Sequence, residues 1–268
     1  MAGMAGNEAG GPPHQLRTVG LTVSEGLGVL RLNRPEARNA LDPDVADDLH
    51  AAATRCAADP ALRALLICAA GSHFTVGADI RVLARVGPEE LRRVASRYHD
   101  MLQVLDALPV PVVAAVQGAV AGGGLGLMCV ADIVLAADGT KFATGFAGLG
   151  LSGDGGSTWF LPRLVGVRRA AEMFLEQRVL DATEAADWGL ITRVVPPGEL
   201  HERAEQVARL LAAGPARALA ELKTLLHRSP TSTLREQLIA EAEALVRTAD
   251  TPDAVTAIQG FVTRAGRA

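Results

Sequence analysis

The chain has 268 residues, of which 49% are hydrophobic and 21% charged, and its formal net charge is −4. This balance predicts a folded chain with a sizeable core rather than a disordered one. Aromatic residues are scarce at 3%, and Lys and Arg form no cluster. Because single strands require exposed rings and duplexes require a basic face, nucleic acid is not expected as a partner.

The cysteines and histidines give no sign of a metal site. Cys56, Cys68 and Cys129 form no Cys-x-x-Cys pair, and the six histidines lack metal-ligand spacing. Neither a disulfide framework nor a bound metal is therefore expected, and a reducing cytoplasm fits best. Residues 1–13 are rich in Gly, Ala and Pro and contain no basic residue, which predicts a disordered tail rather than a signal peptide.

Short apolar runs alternate with helical patterns over the first 198 residues. Strands are predicted at 28–32, 65–68, 112–116 and 133–135. Asp42-Pro43 is a typical helix start, and an apolar stripe from Leu91 to Leu108 predicts a second helix. This alternation indicates an α/β fold with buried strands.

The apolar run at 110–137 resembles a membrane span by hydropathy alone. Pro111, the glycines at 122–124 and Asp132 interrupt it, and neither basic flanks nor an aromatic belt surround it. We expect instead a buried strand, a glycine turn, a core helix and a second strand, with no membrane span.

From residue 199 the pattern is helical, with predicted breaks at Gly214-Pro215 and Ser229-Pro230 that give three helices. We therefore divide the chain into a tail at 1–13, an α/β core at 14–198 and a helical C-terminal extension at 199–268.

The sequence gives only weak support for a dinucleotide-binding motif or a serine-hydrolase triad. Residues 148–153 form a literal G-x-G-x-x-G, but no clear strand precedes it and no acidic residue follows at ribose distance. His73 and His99 are possible partners of a nucleophilic serine, yet there is no G-x-S-x-G motif, so a serine hydrolase is a minor alternative. Most histidines are expected on the surface.

Two glycine-containing turns are more informative. Phe74–Ile80 reads F-T-V-G-A-D-I, and residues 118–126 run from a buried strand through three glycines into a helix. Such turns present free backbone N–H groups that suit a developing negative charge. The plain alternative is that these glycines only permit close packing or positive φ.

These turns, the stretch L-N-R-P-E-A-R-N-A-L at 32–41 and Gly189-Leu190-Ile191 occur in an order and spacing that resembles the crotonase (enoyl-CoA hydratase/isomerase) family. The resemblance covers about Leu21 to Arg264. It implies a spiral of ββα units, acyl-CoA thioester substrates, and a homotrimer or a hexamer built as a dimer of trimers. Coenzyme A would be part of the substrate, with no separate cofactor, and the C-terminal extension would serve oligomerisation and cover the active site.

The resemblance also implies site residues. The backbone N–H groups of Ala78 and Gly123 would form an oxyanion hole for the thioester oxygen. Substrate-binding positions would be Ala37, Arg38, Val76, Asp79, Ile80, Gly122 and Phe146. Asp79 and Asp132 recur in the motifs but stand beside turns or strand ends, where a carboxylate serves structure.

Two positions at which this sequence differs from the family's hydratases limit the reactions that it is expected to catalyse. Those enzymes carry two glutamates that position water, and the corresponding residues here are Gly126 and Phe146. Neither residue can orient or deprotonate water, so simple hydration loses its usual apparatus.

One acidic residue, Asp154, remains close enough in the sequence to these positions to act as a catalytic base. It lies within the stretch L-S-G-D-G-G-S-T-W-F-L-P-R at 151–163. This stretch resembles the isomerases of phenylacetate degradation, although Gly153 replaces their usual proline. We expect Asp154 to act as a single acid/base that shifts a double bond, with Phe146 partly desolvating it; the plain alternative is a helix cap. Two further functions stay open: a hydratase with atypical residues, and a non-catalytic acyl-CoA-binding protein.

Overall fold

Residues 15–265 are described by a computed structural model, so the predicted tail at 1–13 lies outside them. The strands are β1 Val19–Ser24, β2 Leu27–Leu32, β3 Ala64–Ala69, β4 Val112–Val116, β5 Ala119–Ala121, β6 Ile133–Ala137, β7 Lys141–Ala143, β8 Leu180–Asp181 and β9 Arg193–Val195. A large sheet has the order β1-β2-β3-β4-β6-β9, and a small one has the order β5-β7-β8. The β1–β2 pair is antiparallel, and the remaining pairs of the large sheet are parallel.

All four predicted strands are present, as β2, β3, β4 and β6. Every residue of β3 and β4 is buried, as expected for central parallel strands covered on both faces. Strand β1 is not among the predicted strands, although Val19, Leu21 and Val23 alternate with Gly20, Thr22 and Ser24; the strand lies at the edge of the sheet, and only Val19 is buried.

A repeated unit connects the two sheets. Strand β4 lies in the large sheet, β5 lies in the small sheet, and a helix follows; β6 and β7 repeat this arrangement. The small-sheet strands β5 and β7 pair in parallel, with Val120 opposite Phe142. This repetition confirms the expected spiral of ββα units.

The helices of the core are α1 Pro43–Ala58, α2 Ile80–Leu83, α3 Pro88–Asp106, α4 Gly123–Cys129, α5 Ser157–Val165, α6 Val167–Leu175 and α7 Ala182–Asp187. Helix α1 starts as predicted, since the Asp42 side chain accepts a 2.9 Å hydrogen bond from the Val45 amide. Helix α3 buries most of the predicted stripe, but Leu91 at its first turn is exposed, because the helix contacts the core only further along.

The apolar run at 110–137 forms the predicted strand, helix and second strand as β4, α4 and β6, and it also contains the short strand β5. Its side chains pack into the core between the sheets and helices. No helix within residues 15–265 is both long enough and apolar enough to cross a membrane.

The described part of the C-terminal extension, residues 199–265, contains four α-helices where the sequence predicts three: α8 Leu200–Ala212, α9 Ala216–Arg228, α10 Leu234–Ala249 and α11 Pro252–Ala265. The additional break falls at Asp250-Thr251, immediately before Pro252. A proline inside a helix loses a hydrogen bond and clashes with the preceding turn, so the chain starts a new helix there. Helix α8 packs Ala204 and Ala208 against the large sheet.

A partly buried ion cluster fastens α9 to the core. Asp132, at the start of β6, accepts a hydrogen bond from the Val112 amide at 2.7 Å and from the His227 imidazole at 3.0 Å. The buried Lys223 ammonium lies 3.1 Å from the same carboxylate and donates to the Val110 carbonyl. Burial opposes ionisation of Asp132, but these partners outweigh it and hold the pKa of the carboxyl below its usual value.

We expect Asp132→Asn to destabilise the fold by about 3 kcal/mol, because it leaves the buried Lys223 charge uncompensated. Since the folded pKa of Asp132 is lowered, its contribution is complete above the unfolded pKa near 3.8 and is lost as pH falls through the lower folded value. Urea unfolding of wild type and variant should therefore show a difference that is constant above about pH 5. Below that pH the difference should narrow.

The matched control is Glu89→Gln, which removes an exposed ion pair with Arg92. Its unfolding free energy should change by less than about 1 kcal/mol. Equal stability losses in Asp132→Asn and Glu89→Gln would contradict the role given to the cluster.

Candidate active site

The two glycine turns noted in the sequence lie against each other. Thr75 donates to the Ala119 carbonyl at 3.1 Å, and Ala121 donates to the Thr75 carbonyl at 3.0 Å. Gly77 has φ 85° and Gly122 has φ 54°, a region that favours glycine. A Cβ at Gly77 would lie 2.9 Å from the Ala121 carbonyl oxygen, so the backbones could not approach this closely with a larger residue.

This contact brings two free amides to one place. Leu41 donates to the Gly77 carbonyl and Asp79 donates to the Leu41 carbonyl, each at 2.8 Å, so the Ala78 amide between them points to the opposite side. Gly123 is the first residue of α4, where an amide has no intrahelical partner. Within residues 15–265 neither amide has an acceptor, and the two predicted oxyanion donors are available to a ligand.

A buried asparagine supports the neighbouring turn at 34–39. The Asn39 amide donates to the carbonyls of Ala70 and His73 at 2.9 and 2.8 Å, and its oxygen accepts from the Arg34 amide at 2.8 Å. The Arg38 carbonyl in turn accepts from the Val76 amide at 3.3 Å. Two predicted substrate-binding positions, Arg38 and Val76, are therefore linked directly to the paired turns at Gly77 and Gly122, which together form the predicted oxyanion turn.

Asp79 is committed to structure through its side chain. It is 7% exposed, accepts the Arg81 amide at the start of α2, and pairs with the Arg81 guanidinium at 2.9 Å. The hydrogen bond from the Arg81 side chain holds the pKa of Asp79 below its usual value. The next residue, Ile80, is exposed, and so is Ala78.

Gly126, the first of the two positions where a hydratase carries a glutamate, has no room for a side chain. Gly126 is buried in α4, and a Cβ built on it would overlap the carbonyl oxygen of Gly155. The loop before α5 thus packs directly on α4 at the place where a hydratase carries a carboxylate. A glutamate at 126 would require this loop to move.

The second position holds an apolar wall. The Phe146 ring stacks on Phe174, with centroids 6.4 Å apart and planes 21° from parallel. Its ring edge would lie 3.9 Å from a Cβ at Gly122, which places it beside the oxyanion turn. Phe146 therefore offers the site hydrophobic surface and no group that could orient water.

Asp154 lies in the loop that packs on α4, and it does not cap the following helix. Helix α5 has Gly156 as its N-cap, without a side-chain hydrogen bond, so the helix-cap interpretation is wrong. The Asp154 carbonyl accepts from the Ser157 hydroxyl at 2.7 Å, while its carboxylate contacts His99 Nε2 at 2.6 Å. The side chain is 46% exposed, which is less desolvation than the sequence predicts.

Tyr98 connects the oxyanion turn with the Asp154 loop. Its buried hydroxyl donates to the Gly123 carbonyl at 2.9 Å. A Cβ at Gly155 would lie 3.3 Å from the Tyr98 ring, so the ring also supports that loop. Burial, and then the negative charge of Asp154, raise the pKa of the Tyr98 hydroxyl, which therefore stays protonated as a donor.

Sequence reasoning misses three of these residues. Asn39 stands within the family motif, but only the fold shows its two carbonyl acceptors. Tyr98 is predicted to be buried, without a role for its hydroxyl. His99 is suggested only as a partner of a serine, because nothing in the sequence relates α3 to a loop 55 residues further on.

The arrangement defines a class of chemistry. Two free backbone donors lie on turns that contact each other, and a carboxylate lies on the loop that packs on α4; such elements are needed to remove a proton next to a carbonyl and hold the resulting enolate. No group of three or more His, Cys, Asp or Glu in the described part of the chain is placed to hold a metal ion.

Comparison with known proteins agrees with this class. The model of the family described as enoyl-CoA hydratase/isomerase matches residues 22–266. The chain therefore belongs to the enoyl-CoA hydratase/isomerase family, and its α/β spiral is the crotonase fold.

Some of the relatives are named as isomerases and others as hydratases. The 1,2-epoxyphenylacetyl-CoA isomerase of Escherichia coli K12 is 38% identical over 82% of this chain and 86% of its own length. A crotonyl-CoA hydratase of Syntrophomonas wolfei is 36% identical over 72% of this chain and 75% of its own. The solved structure of an enoyl-CoA hydratase from Polaromonas sp. JS666 has 30% identity and a TM-score of 0.86, covering 92% of this chain and 97% of that one.

We expect Gly126→Ala to lower the free energy of unfolding by about 1–3 kcal/mol, because the added methyl group forces the Gly155 loop off α4. This loss should appear although alanine is the better helix former by about 1 kcal/mol. Urea unfolding provides the measurement.

Gly20→Ala is the matched control, since a Cβ at that exposed position meets nothing within 4 Å. It should retain wild-type stability. A Gly126→Ala variant as stable as wild type would show that position 126 has room for a side chain, and that the Gly155 loop does not exclude a glutamate there.

Proposed function

We propose that this protein shifts a double bond along an unsaturated acyl-CoA, with Asp154 as the single acid/base. The Ala78 and Gly123 amides would form the oxyanion hole for the thioester oxygen. The observation that carries this proposal is the combination of two free amide donors with one carboxylate, at a site where Gly126 is closed and Phe146 is apolar.

The chemistry can be written for a 3-enoyl-CoA. The Asp154 carboxylate removes a proton from C2; the electron pair of that C–H bond forms a C1=C2 double bond, and the carbonyl π pair moves onto the thioester oxygen to give a dienolate. The two amides stabilise this oxygen, and loss of one such donor typically costs about 10²–10³ in rate. The protonated carboxyl then returns its proton to C4, and the double bond now lies between C2 and C3.

Substrate recognition follows the same turns. We assign contacts with the acyl-CoA to the region of Ala37 and Arg38 at one end of the site and to Val76, Ile80 and Gly122 around the oxyanion hole. Phe146 would cover the dienolate with hydrophobic surface, and Asp79 would hold α2 in place. Excluding water favours return of the proton over addition of hydroxide.

Hydration of a 2-enoyl-CoA is the second candidate. It is favoured by the exposure of Asp154, which leaves 46% of its side chain open to water, and by the hydratase names among the relatives. In this scheme Asp154 would orient the water that adds at C3, and the same oxyanion hole would serve.

We expect Asp154→Asn to lose at least about 100-fold in kcat for 3-enoyl-CoA isomerisation, since proton transfer by a positioned side chain contributes about 10²–10⁴-fold. Its affinity for the acyl-CoA should stay close to wild type, because the amide donors are unchanged. Formation of the conjugated thioester, followed by absorbance, measures turnover, and calorimetry with a saturated acyl-CoA measures binding.

The control Asp187→Asn replaces an exposed carboxylate at the end of α7 and should behave as wild type. Full isomerase activity in Asp154→Asn would overturn the single-base proposal. Water addition to a 2-enoyl-CoA, with no turnover of 3-enoyl-CoA, would select the hydratase. Binding without any turnover would identify a non-catalytic acyl-CoA-binding protein.

The C-terminal extension supports an assembly proposal. Helices α10 and α11 expose large apolar side chains, among them Leu245, Val246, Ile258 and Phe261. Contiguous exposed apolar surface is typical of protein–protein contacts. Together with the family resemblance, this favours a homotrimer or a dimer of trimers.

Sedimentation equilibrium should therefore give three or six times the 27.8 kDa chain mass. Val246→Glu together with Phe261→Glu should shift the mass toward one chain, because charged groups would face the apolar contact. A wild-type protein that sediments as a monomer at micromolar concentration would contradict the proposal.

A further inference from the structure

His99 contacts the carboxylate of Asp154, the proposed acid/base. Its Nε2 lies 2.6 Å from Asp154 Oδ1, and the two side chains are 43% and 46% exposed. Nothing in the sequence pattern or the proposed mechanism requires a histidine at this position. The contact joins the middle of α3 to the loop before α5.

The direction of the hydrogen bond follows from the acceptor. The proposed mechanism uses Asp154 as a carboxylate, which can only accept, and this assigns the hydrogen of the contact to His99 Nε2. This bond engages Oδ1 and leaves Oδ2 as the oxygen that can take a proton from a substrate. A freely rotating carboxylate would present either oxygen in many directions, whereas the bonded one has a single orientation.

Stability gives little reason for this pair. Exposed ion pairs contribute little to folding, because water screens them and two side chains lose their freedom. Each partner could instead point into solvent. A short contact between two such groups, at the edge of the proposed reaction centre, is therefore better explained by what it does for Asp154.

Helix α3 is well suited to carry a positioning group. The residue before His99 is Tyr98, whose hydroxyl bonds the Gly123 carbonyl, and Met101 and Leu102 anchor the next turn in the core. The same stretch of helix thus contacts the oxyanion turn on one side and the carboxylate on the other. Helix α3 therefore fixes the position of the oxyanion turn relative to the Asp154 carboxylate.

We propose that His99 is a positioning residue, which orients the Asp154 carboxylate by donating from Nε2 to Oδ1 so that Oδ2 faces the C2–H and C4 positions of the acyl chain. This inference rests on the proposed function of Asp154. His99 is not assigned a proton transfer of its own.

The test compares His99→Leu, which removes the donor, with His99→Gln, whose amide can still donate to the carboxylate. Both are measured on a 3-enoyl-CoA beside Asp154→Asn. We expect His99→Leu to lower kcat by about 10- to 100-fold, as misplacement of a catalytic group does, with KM within about twofold of wild type. His99→Gln should recover most of the lost kcat.

Arg92→Leu is the matched control, because Arg92 lies on the same helix, is exposed, and forms an ion pair with Glu89 away from Asp154. It should keep wild-type kcat and KM. The urea midpoints of all the His99 and Arg92 variants should agree with wild type, which separates positioning from a structural effect.

Three results would overturn the role of His99: a wild-type kcat in His99→Leu, a loss confined to KM, or no recovery in His99→Gln. If Asp154→Asn still loses activity in these cases, the proposed function of Asp154 stands without His99. If Asp154→Asn itself keeps full activity, the proposed function fails first, and the two failures are distinguished.

Discussion

The site depends on the close contact between two backbone turns, at Gly77 and Gly122. Each turn contributes one of the two proposed donors, Ala78 and Gly123, and an enolate oxygen is best held by donors from two directions. The ββα units bring the turns together, because each unit crosses from the large sheet to the small one before its helix begins. The backbone supplies the donors, so side chains around them act by fixing where that backbone lies.

The sequence is most informative where local rules apply. The Asp42 cap, the buried strands β3 and β4, and the glycine turns follow from patterns within ten or so residues. The edge strand β1 escapes prediction although its apolar residues alternate, because only its pairing with β2 shows that this short, largely exposed run is a strand. The break before Pro252 also escapes prediction, although Thr251-Pro252 is itself a local signal for a helix start.

The candidate site shows the same division. Ala78, Gly123 and Asp154 can be selected from motifs, since each stands in a recognisable local stretch. The partners of Asp154 and Gly123 cannot, because His99 and Tyr98 belong to a different helix and only the tertiary fold relates them. The closure of position 126 by Gly155 is likewise a contact between segments that sequence alone leaves separate.

That closure also constrains how the chain could change its chemistry over time. A single substitution cannot place a glutamate at position 126, because the loop at Gly155 would first have to move away from α4. That loop also carries Asp154. Gaining one carboxylate would therefore displace the other. Such a change needs coordinated replacements in α4 and in the loop, because a glutamate at 126 alone would push the Asp154 loop out of its present position.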